Sequence, residues 1–320
     1  MGFMGKARAA RRLATAALFG GGGLGVLGGG AYGLLKTEAT FARRAIGMSE
    51  ARPPSPNGVY GRSLPGEPIS LLVLGDSAAV GYGMTKASDT PPAMFGSDLS
   101  QIAQQPVLVT TCAVVGARSS DLSGQIDIGL AAEPDVAAIV IGTNDVTHTV
   151  RPSDSVRELD AAVRRLIDAG CEVVVGTCPD LGTVRPLRQP LRLVARQWSR
   201  RLAAAQTITT VEAGGRSVSL AGLLGRDFGQ APEELFGDDR FHPSLAGYAS
   251  MVAAMLPSVA AVLGVWDDEE GTDTYPDGTV LPVSFAAAEA VEVGGTEVAQ
   301  VAVAGQDRGP RGRWAALRRR

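Results

Sequence analysis

Short apolar segments alternate with longer segments of helical periodicity between Ile69 and Gly264, and this alternation restricts the fold more than any other feature. The strand candidates are Ile69–Leu74, Val107–Ala113, Val136–Ile141, Glu172–Thr177 and Thr207–Val211. The helix candidates are Ser153–Ala169, Leu187–Ala205 and Leu245–Leu263. Short apolar strands separated by helices indicate a parallel sheet covered on both faces, with right-handed crossovers.

Composition agrees with such a core and excludes several functional classes. The 320 residues are 45% hydrophobic and carry a net charge of -3, so no global basic field points to nucleic acid. Three cysteines without a Cys-x-x-Cys pair, and without a histidine close to any of them, argue against a metal site.

A segment without charge, residues 13–35, follows a basic head and is long enough to cross a bilayer. Three interpretations compete: a retained signal anchor, a cleaved signal peptide and a flexible glycine-rich arm. The run is longer than a usual signal core and ends without a clear Ala-x-Ala site, which favours the anchor. Basic residues flank both ends, so the positive-inside rule only mildly favours an extracytoplasmic folded domain; cleavage would make the protein secreted.

The chain divides by composition into four parts. We expect a basic head and transmembrane anchor over 1–36, a proline-rich linker over 37–66 and the folded α/β domain over 67–266. Residues 267–320 read as a disordered tail with a basic end.

Ser77 follows the first apolar run, which ends abruptly on Gly75-Asp76-Ser77. A buried parallel strand that ends this way delivers a hydroxyl to the mouth of the sheet, where a serine can act as a nucleophile. The alternative is a strand-to-helix turn in which Asp76 or Ser77 caps the next helix.

The chain has only two histidines, His148 and His242. Asp239 precedes His242 by three residues, and a carboxylate there can accept the Nδ1 hydrogen while Nε2 faces outward, as a general base requires. The alternative is a surface histidine in a turn capped by Asp239 and Ser244. His148 is the rival base, and it can instead line the pocket or lie in a solvated loop.

Two further segments end predicted strands with residues suited to an oxyanion. Asn144 in Gly142-Thr143-Asn144-Asp145 offers a neutral amide donor. The alternative is that this segment forms a turn capped by Asn144 or Asp145. Gly116 also follows a strand, and a glycine lets its backbone N–H approach a ligand closely.

Together these four segments, in this order, resemble the SGNH (GDSL-type) hydrolase superfamily of esterases and lipases. The resemblance covers about residues 67–264 and is greatest to actinobacterial members. It implies a flavodoxin-like, three-layer α/β/α sandwich with a five-stranded parallel sheet in the order 2-1-3-4-5, and it implies no cofactor and no metal. One departure is Thr110-Thr111-Cys112, where members often carry an asparagine before the glycine.

The resemblance also implies roles. Ser77 would attack an acyl carbonyl, His242 would transfer the proton and Asp239 would orient His242. The oxyanion would be held by the N–H groups of Ser77 and Gly116 and by the Asn144 side chain. The remaining candidate pocket residues are Asp76, Asp145 and His148, and Asp76 is expected to hold the turn rather than to transfer protons.

The predicted function is that of a membrane-anchored serine esterase that acts on an ester-containing small molecule, lipid or acylated glycan. An O-acyltransferase acting on a glycan would use the same triad. A non-catalytic surface-binding module and a flavodoxin-type cofactor protein share the topology, but they leave the Ser, Asn and His positions unexplained.

Arginines repeat at near-helical spacing between residues 185 and 201. We expect an amphipathic helix with a solvated basic face there. The alternative is a rim near the site that attracts anionic headgroups or acidic glycans.

Overall fold

The computed structural model describes residues 53–184, 186–220, 235–266 and 283–299. The predicted membrane segment 13–35, Arg185 and the basic C-terminal end lie outside the described residues.

A seven-stranded mixed sheet forms the centre of the described structure. Its strands are β1 (Gly58–Tyr60), β2 (Ile69–Gly75), β3 (Val107–Thr111), β4 (Val136–Val140), β5 (Glu172–Gly176), β6 (Arg216–Val218) and β7 (Glu297–Val298). Their order in the sheet is β1-β3-β2-β4-β5-β6-β7. Strands β2 to β6 pair in parallel, while β1 and β7 run antiparallel at the two edges.

Helices cover both faces of this sheet. They are α1 (Ser77–Val80), α2 (Pro91–Ala103), α3 (Leu122–Gly129), α4 (Thr143–Thr147), α5 (Pro152–Asp168), α6 (Leu191–Glu212), α7 (Leu245–Val262) and α8 (Val283–Ala290). Helices α2 and α7 belong to the hydrophobic cluster on one face of the sheet, and α3 and α5 belong to the cluster on the other. The predicted α/β fold with helices on both faces is therefore confirmed.

Strand β2 shows why the central strands read as unbroken apolar runs. Every residue of β2 is buried. Leu71 and Val73 pack in one hydrophobic cluster, whereas Leu72 and Leu74 pack in the other, as the period of two requires. Both faces of a parallel sheet are covered, so the strand is almost entirely apolar, and the hydroxyl of its one polar residue, Ser70, donates to the Ala132 carbonyl at 3.0 Å.

The predicted fifth strand, Thr207–Val211, is wrong, because these residues form the last turns of α6. Their β-branched side chains imitate a strand, but they pack in a helix, where the Thr207 hydroxyl donates to the Ala203 carbonyl at 3.1 Å. The fifth parallel strand is β6, which is only three residues long.

The sheet also has two edge strands that the sequence analysis did not predict. Strand β1 lies within the expected proline-rich linker and pairs with Val107–Val109 of β3. Helix α8 and strand β7 lie within the expected disordered tail, so that prediction is wrong for residues 283–299. An ion pair of 2.7 Å between Arg216 and Glu297 joins β6 to β7. Edge strands pair through backbone hydrogen bonds, which do not depend on the side chains. Such short segments also show no clear alternation of apolar and polar residues.

Among the described helices, α7 is the one that is long and apolar enough to cross a membrane. More than half of it is buried, because it packs against the sheet and against α2. It provides weak evidence for a membrane span, and its burial is typical of a core helix.

The carboxyl ends of β2 and β4 approach each other closely at Gly75. This residue has φ +131°, and a Cβ placed on it would lie 1.9 Å from the carbonyl oxygen of Val140. Only glycine fits such a position. The chain can therefore turn sharply after β2 while the two strands remain paired.

Two buried glutamines complete the hydrogen bonding at these strand ends. Gln125 of α3 accepts from the Gly75 N–H and donates to the Gly75 carbonyl, both at 2.8 Å. Gln206 of α6 accepts from the Cys178 N–H at 2.7 Å and donates to the Ile141 carbonyl at 2.9 Å. Each primary amide thus bonds to one backbone donor and one backbone acceptor at these strand ends.

We predict that Gln206→Leu lowers the free energy of unfolding by about 2–5 kcal/mol, because two buried backbone groups lose their partners. Chemical denaturation would measure the change. Gln197→Leu is the matched control, since Gln197 lies on the exposed side of the same helix. Equal, small effects of the two substitutions would contradict the assigned role of Gln206.

Candidate active site

Ser77 lies at the first position of α1, directly after the β2 turn. Asp76 caps this helix, and its Oδ1 accepts from the Ala78 N–H at 2.9 Å. The Asp76 N–H donates to the Val140 carbonyl at 3.1 Å, which ties the turn to β4. Asp76 therefore caps the helix, as one interpretation of this segment predicts, and Ser77 lies at the sheet edge, while its role as a nucleophile stays a prediction.

His242 lies beside Ser77 although 165 residues separate them. Its Nε2 is 3.0 Å from the Ser77 Oγ, and its Nδ1 is 2.6 Å from Oδ2 of Asp239. A carboxylate can only accept, so the hydrogen lies on Nδ1 and Nε2 is left to accept from the hydroxyl. The structure brings together the hydroxyl, imidazole and carboxylate in the order that nucleophilic hydrolases use.

Asp239 is held as an anion by its own turn. Burial by itself raises its pKa, but hydrogen bonds from the His242 ring and from the N–H groups of Phe241 and His242 outweigh burial. The net effect is a pKa below the ordinary range of an aspartate. Both N–H donors lie 2.9 Å from the Asp239 Oδ1. The turn therefore orients the carboxylate and also stabilises its negative charge.

Two aromatic rings hold the imidazole of His242 in place. The Tyr82 ring lies 4.3 Å from it, centroid to centroid, and the Phe241 ring meets it edge-on at 4.9 Å. Tyr82 is held in turn by Tyr248, a fully buried residue of α7 whose hydroxyl donates to the Tyr82 carbonyl at 2.9 Å. Helix α7 therefore supports the ring that lies against the candidate base.

The three groups predicted to bind an oxyanion belong to Ser77, Gly116 and Asn144. The backbone N–H groups of Ser77 and Gly116 form no hydrogen bond with any other described residue. Gly116 has φ +84°, which favours glycine. Asn144 donates one amide hydrogen to the Ala117 carbonyl at 3.0 Å, which leaves its second hydrogen unused among the described residues.

Asp145 holds the segments next to the site together. Its Oδ2 accepts from the N–H and hydroxyl of Ser119, and its Oδ1 accepts from the Ser155 hydroxyl at 2.8 Å. Asp145 therefore links the Gly116 loop to α5. It is not among the residues that line the cavity beside Ser77.

His148 lies in an exposed position at the end of α4. Its Nδ1 is 2.8 Å from the Asn144 carbonyl oxygen. It does not line the cavity beside Ser77, and His242 takes the position next to the hydroxyl.

The cavity beside Ser77 is mostly apolar and extends from His242 toward the loop before α6. Its described walls are Ser77, Ala78, Val140, Thr143, Pro179, Asp180, Leu181, Thr183, Val184, Leu220, Phe236, Phe241, His242, Pro243 and Met251. Asp180 is the acidic residue in this wall. Burial raises its pKa, and that effect is opposed by a hydrogen bond from the Gly182 N–H and by the charges of Arg196 and Arg200.

Sequence reasoning missed several supporting residues of the site. Gln125, Gln206, Tyr82 and Tyr248 carry no local motif, since each acts on a segment far away in the chain. Asp180 could have been suspected, because it follows a predicted strand at the same edge as Ser77.

Asp76 is fully buried, and its Oδ2 has no hydrogen-bond partner. Burial raises its pKa to about 7; the Ala78 N–H opposes the shift and the charge of Asp145 adds to it. An aspartate whose pKa is higher in the folded state binds a proton on folding. The stability that this proton contributes is present at low pH and is lost as the pH rises from about 4 to about 7.

We predict that Asp76→Asn removes this loss, because an amide does not titrate. The free energy of unfolding of the variant, relative to the native chain, should rise between pH 5 and pH 8, as urea denaturation at both values would show. Asp98→Asn, at an exposed position of α2, serves as the control. A difference that stays constant between the two pH values would contradict the prediction.

Several known proteins are similar to this chain in sequence or in fold. The model of the GDSL-like lipase/acylhydrolase family matches residues 73–250. The GDSL-like esterase Rv1075c of Mycobacterium tuberculosis is 40% identical over 250 residues, which cover 74% of this chain and 78% of that protein.

Similar solved structures include a catalytic mutant of Axe2, an acetylxylan esterase from Geobacillus stearothermophilus, with 20% identity and a TM-score of 0.49. That alignment covers 59% of this chain and 93% of the other. The extracellular lipase of Streptomyces rimosus has 16% identity and a TM-score of 0.47, over 59% of this chain and 99% of the other.

The fold and the family match define the chain as a carboxylic ester hydrolase of the SGNH class. Within that class, the chain belongs to the GDSL-like lipase/acylhydrolase family, and its substrates contain an ester.

Proposed function

We propose that the protein hydrolyses carboxylic esters through an acyl-enzyme formed on Ser77, with His242 as the base and Asp239 as its orienting carboxylate. The observation that carries the proposal is the continuous contact from Ser77 Oγ to His242 Nε2 at 3.0 Å and from His242 Nδ1 to Asp239 at 2.6 Å. The lowered pKa of Asp239 supports its role as an anion beside a developing imidazolium.

In the first half of the reaction, the Ser77 oxygen attacks the acyl carbonyl while its proton passes to Nε2 of His242. The tetrahedral intermediate collapses when that proton moves to the leaving alcohol, and the acyl group stays on Ser77. In the second half, a water molecule attacks the acyl carbon and gives its proton to His242. His242 then returns a proton to Ser77 as the carboxylic acid leaves.

The oxyanion of each tetrahedral intermediate would be bound by the N–H groups of Ser77 and Gly116 and by the free amide hydrogen of Asn144. Support comes from the lack of other partners for both N–H groups among the described residues. The hydrogen bond from Asn144 to the Ala117 carbonyl orients the amide beside the Gly116 loop. Neutral donors stabilise the oxyanion without neutralising the base.

We predict that Ser77→Ala and His242→Ala each lower kcat for p-nitrophenyl acetate by about 10⁴-fold or more, because the proton-transfer pair acts as a unit. His148→Ala should retain kcat within about two-fold, since His148 lies outside the cavity. Thermal melts of the variants would verify folding.

Labelling with a fluorophosphonate probe separates this proposal from a non-catalytic binding module. The native chain should be labelled, and Ser77→Ala should not. Labelling that persists in Ser77→Ala, or a loss of activity in His148→Ala comparable to that in His242→Ala, would overturn the assignment.

We predict that Asn144→Ala lowers kcat by about 10²–10³-fold with a small change in KM, because an oxyanion donor acts mainly in the transition state. Asn57→Ala is the control, because Asn57 accepts a hydrogen bond from the Thr111 N–H and does not line the cavity beside Ser77. An Asn144→Ala effect confined to KM would assign the residue to ground-state binding instead.

A further inference from the structure

The segment between Asp180 and Glu212 contains no acidic residue. It includes α6 and the loop before it, and its arginines are Arg185, Arg188, Arg192, Arg196, Arg200 and Arg201. Arg185 lies outside the described residues. A run of positive charge with no carboxylate of its own favours an anionic partner.

Several of these arginines are already engaged. Arg196 lies 3.4 Å from Asp180, Arg200 pairs with Glu292, and Arg192 donates to the Leu187 carbonyl at 2.8 Å. In contrast, Arg188 and Arg201 are exposed, and their side chains form no hydrogen bond or ion pair with any other described residue.

Apolar side chains lie exposed beside these charges. Leu193 is 52% exposed and Val194 is 37% exposed, at the N-terminal end of α6. Leu193, Gln197 and Arg201 are spaced by four residues, so they form one ridge of the helix, with Arg196 one turn from Leu193. We name Arg188, Leu193, Val194, Arg196 and Arg201 the basic–apolar face.

This face adjoins the cavity of the active site. Leu181, Thr183 and Val184 line the cavity and belong to the loop that leads into α6. Asp180 is part of the same cavity wall and is also the partner of Arg196. A surface bound to the basic–apolar face would therefore lie next to the entrance of the site.

We propose that the basic–apolar face docks on a membrane surface that carries anionic lipid headgroups. Arginines beside exposed aliphatic side chains match a surface that offers negative charge outside and an apolar layer below. A soluble acidic glycan would bind the arginines but would leave Leu193 and Val194 in water, so the apolar exposure favours the lipid. The proposal does not depend on the catalytic roles of Ser77 and His242.

A fluorescent label at residue 193 tests the proposal in the full chain, whether or not another segment also holds the protein on the membrane. Leu193→Cys would carry an environment-sensitive nitrobenzoxadiazole group in a Cys112→Ser background, because Cys171 and Cys178 are buried. The control is Ile128→Cys with the same label, since Ile128 is 70% exposed at the far end of α3.

We predict a blue shift and a several-fold rise in emission at residue 193 with phosphatidylcholine vesicles that contain phosphatidylglycerol, and a far smaller change with phosphatidylcholine alone. The response should fall in high salt and in the Arg188→Glu/Arg201→Glu variant, because the attraction is electrostatic. The Ser77→Ala variant should respond as the native chain does. A failure of the docking proposal can therefore be distinguished from a failure of the catalytic proposal.

Three results would overturn the docking proposal. The first is no response at residue 193 with the anionic vesicles, and the second is an equal response at residue 128. The third is a response to soluble polygalacturonate without any response to vesicles, which would assign the face to acidic glycans.

Discussion

The close approach of β2 and β4 at Gly75 is the constraint on which the rest of the site depends. A side chain there would meet the Val140 carbonyl oxygen at 1.9 Å, so the two strand ends can remain paired only with glycine. The Asp76 N–H then bonds to that carbonyl, and the chain turns to present Ser77. The loop that carries Gly116 is tied to the same point, because the Val114 N–H donates to the Gly75 carbonyl at 3.1 Å. Ser77 and the loop that carries Gly116 thus share one anchor.

Hydrogen bonding explains why the pKa values of Asp76 and Asp239 shift in opposite directions. Burial disfavours the charge of both. Asp239 accepts from the His242 ring and two N–H groups, and these donors outweigh burial. Asp76 has one donor, the Ala78 N–H, and the charge of Asp145 adds to the effect of burial. The negative charge is therefore held beside the imidazole, while the carboxyl next to Ser77 in the chain binds a proton more readily.

The parts of the fold and site that were predictable are those with a local signal. Ser77 and Asn144 are polar residues that follow buried strands. Asp239 precedes His242 by three residues, a spacing that fits one turn. The same kind of local signal gave a wrong prediction at Thr207–Val211. These residues form the last turns of α6, and the side chains of Thr207, Thr210 and Val211 are buried there. Strands β1 and β7 could not be predicted, since their pairing depends on an available sheet edge and not on their own periodicity.

Sequence alone established the layered α/β architecture, the family resemblance and the candidate catalytic residues, because hydrophobic period and strand-end motifs are properties of neighbouring residues. The tertiary structure decided that His242, and not His148, lies against the Ser77 hydroxyl. It also decided that Asp145 holds the loops together, that Gln125 and Gln206 complete the strand ends, and that Tyr82 lies against the imidazole. These contacts join residues that are far apart in the chain, and their geometry exists only once the sheet and its covering helices have packed.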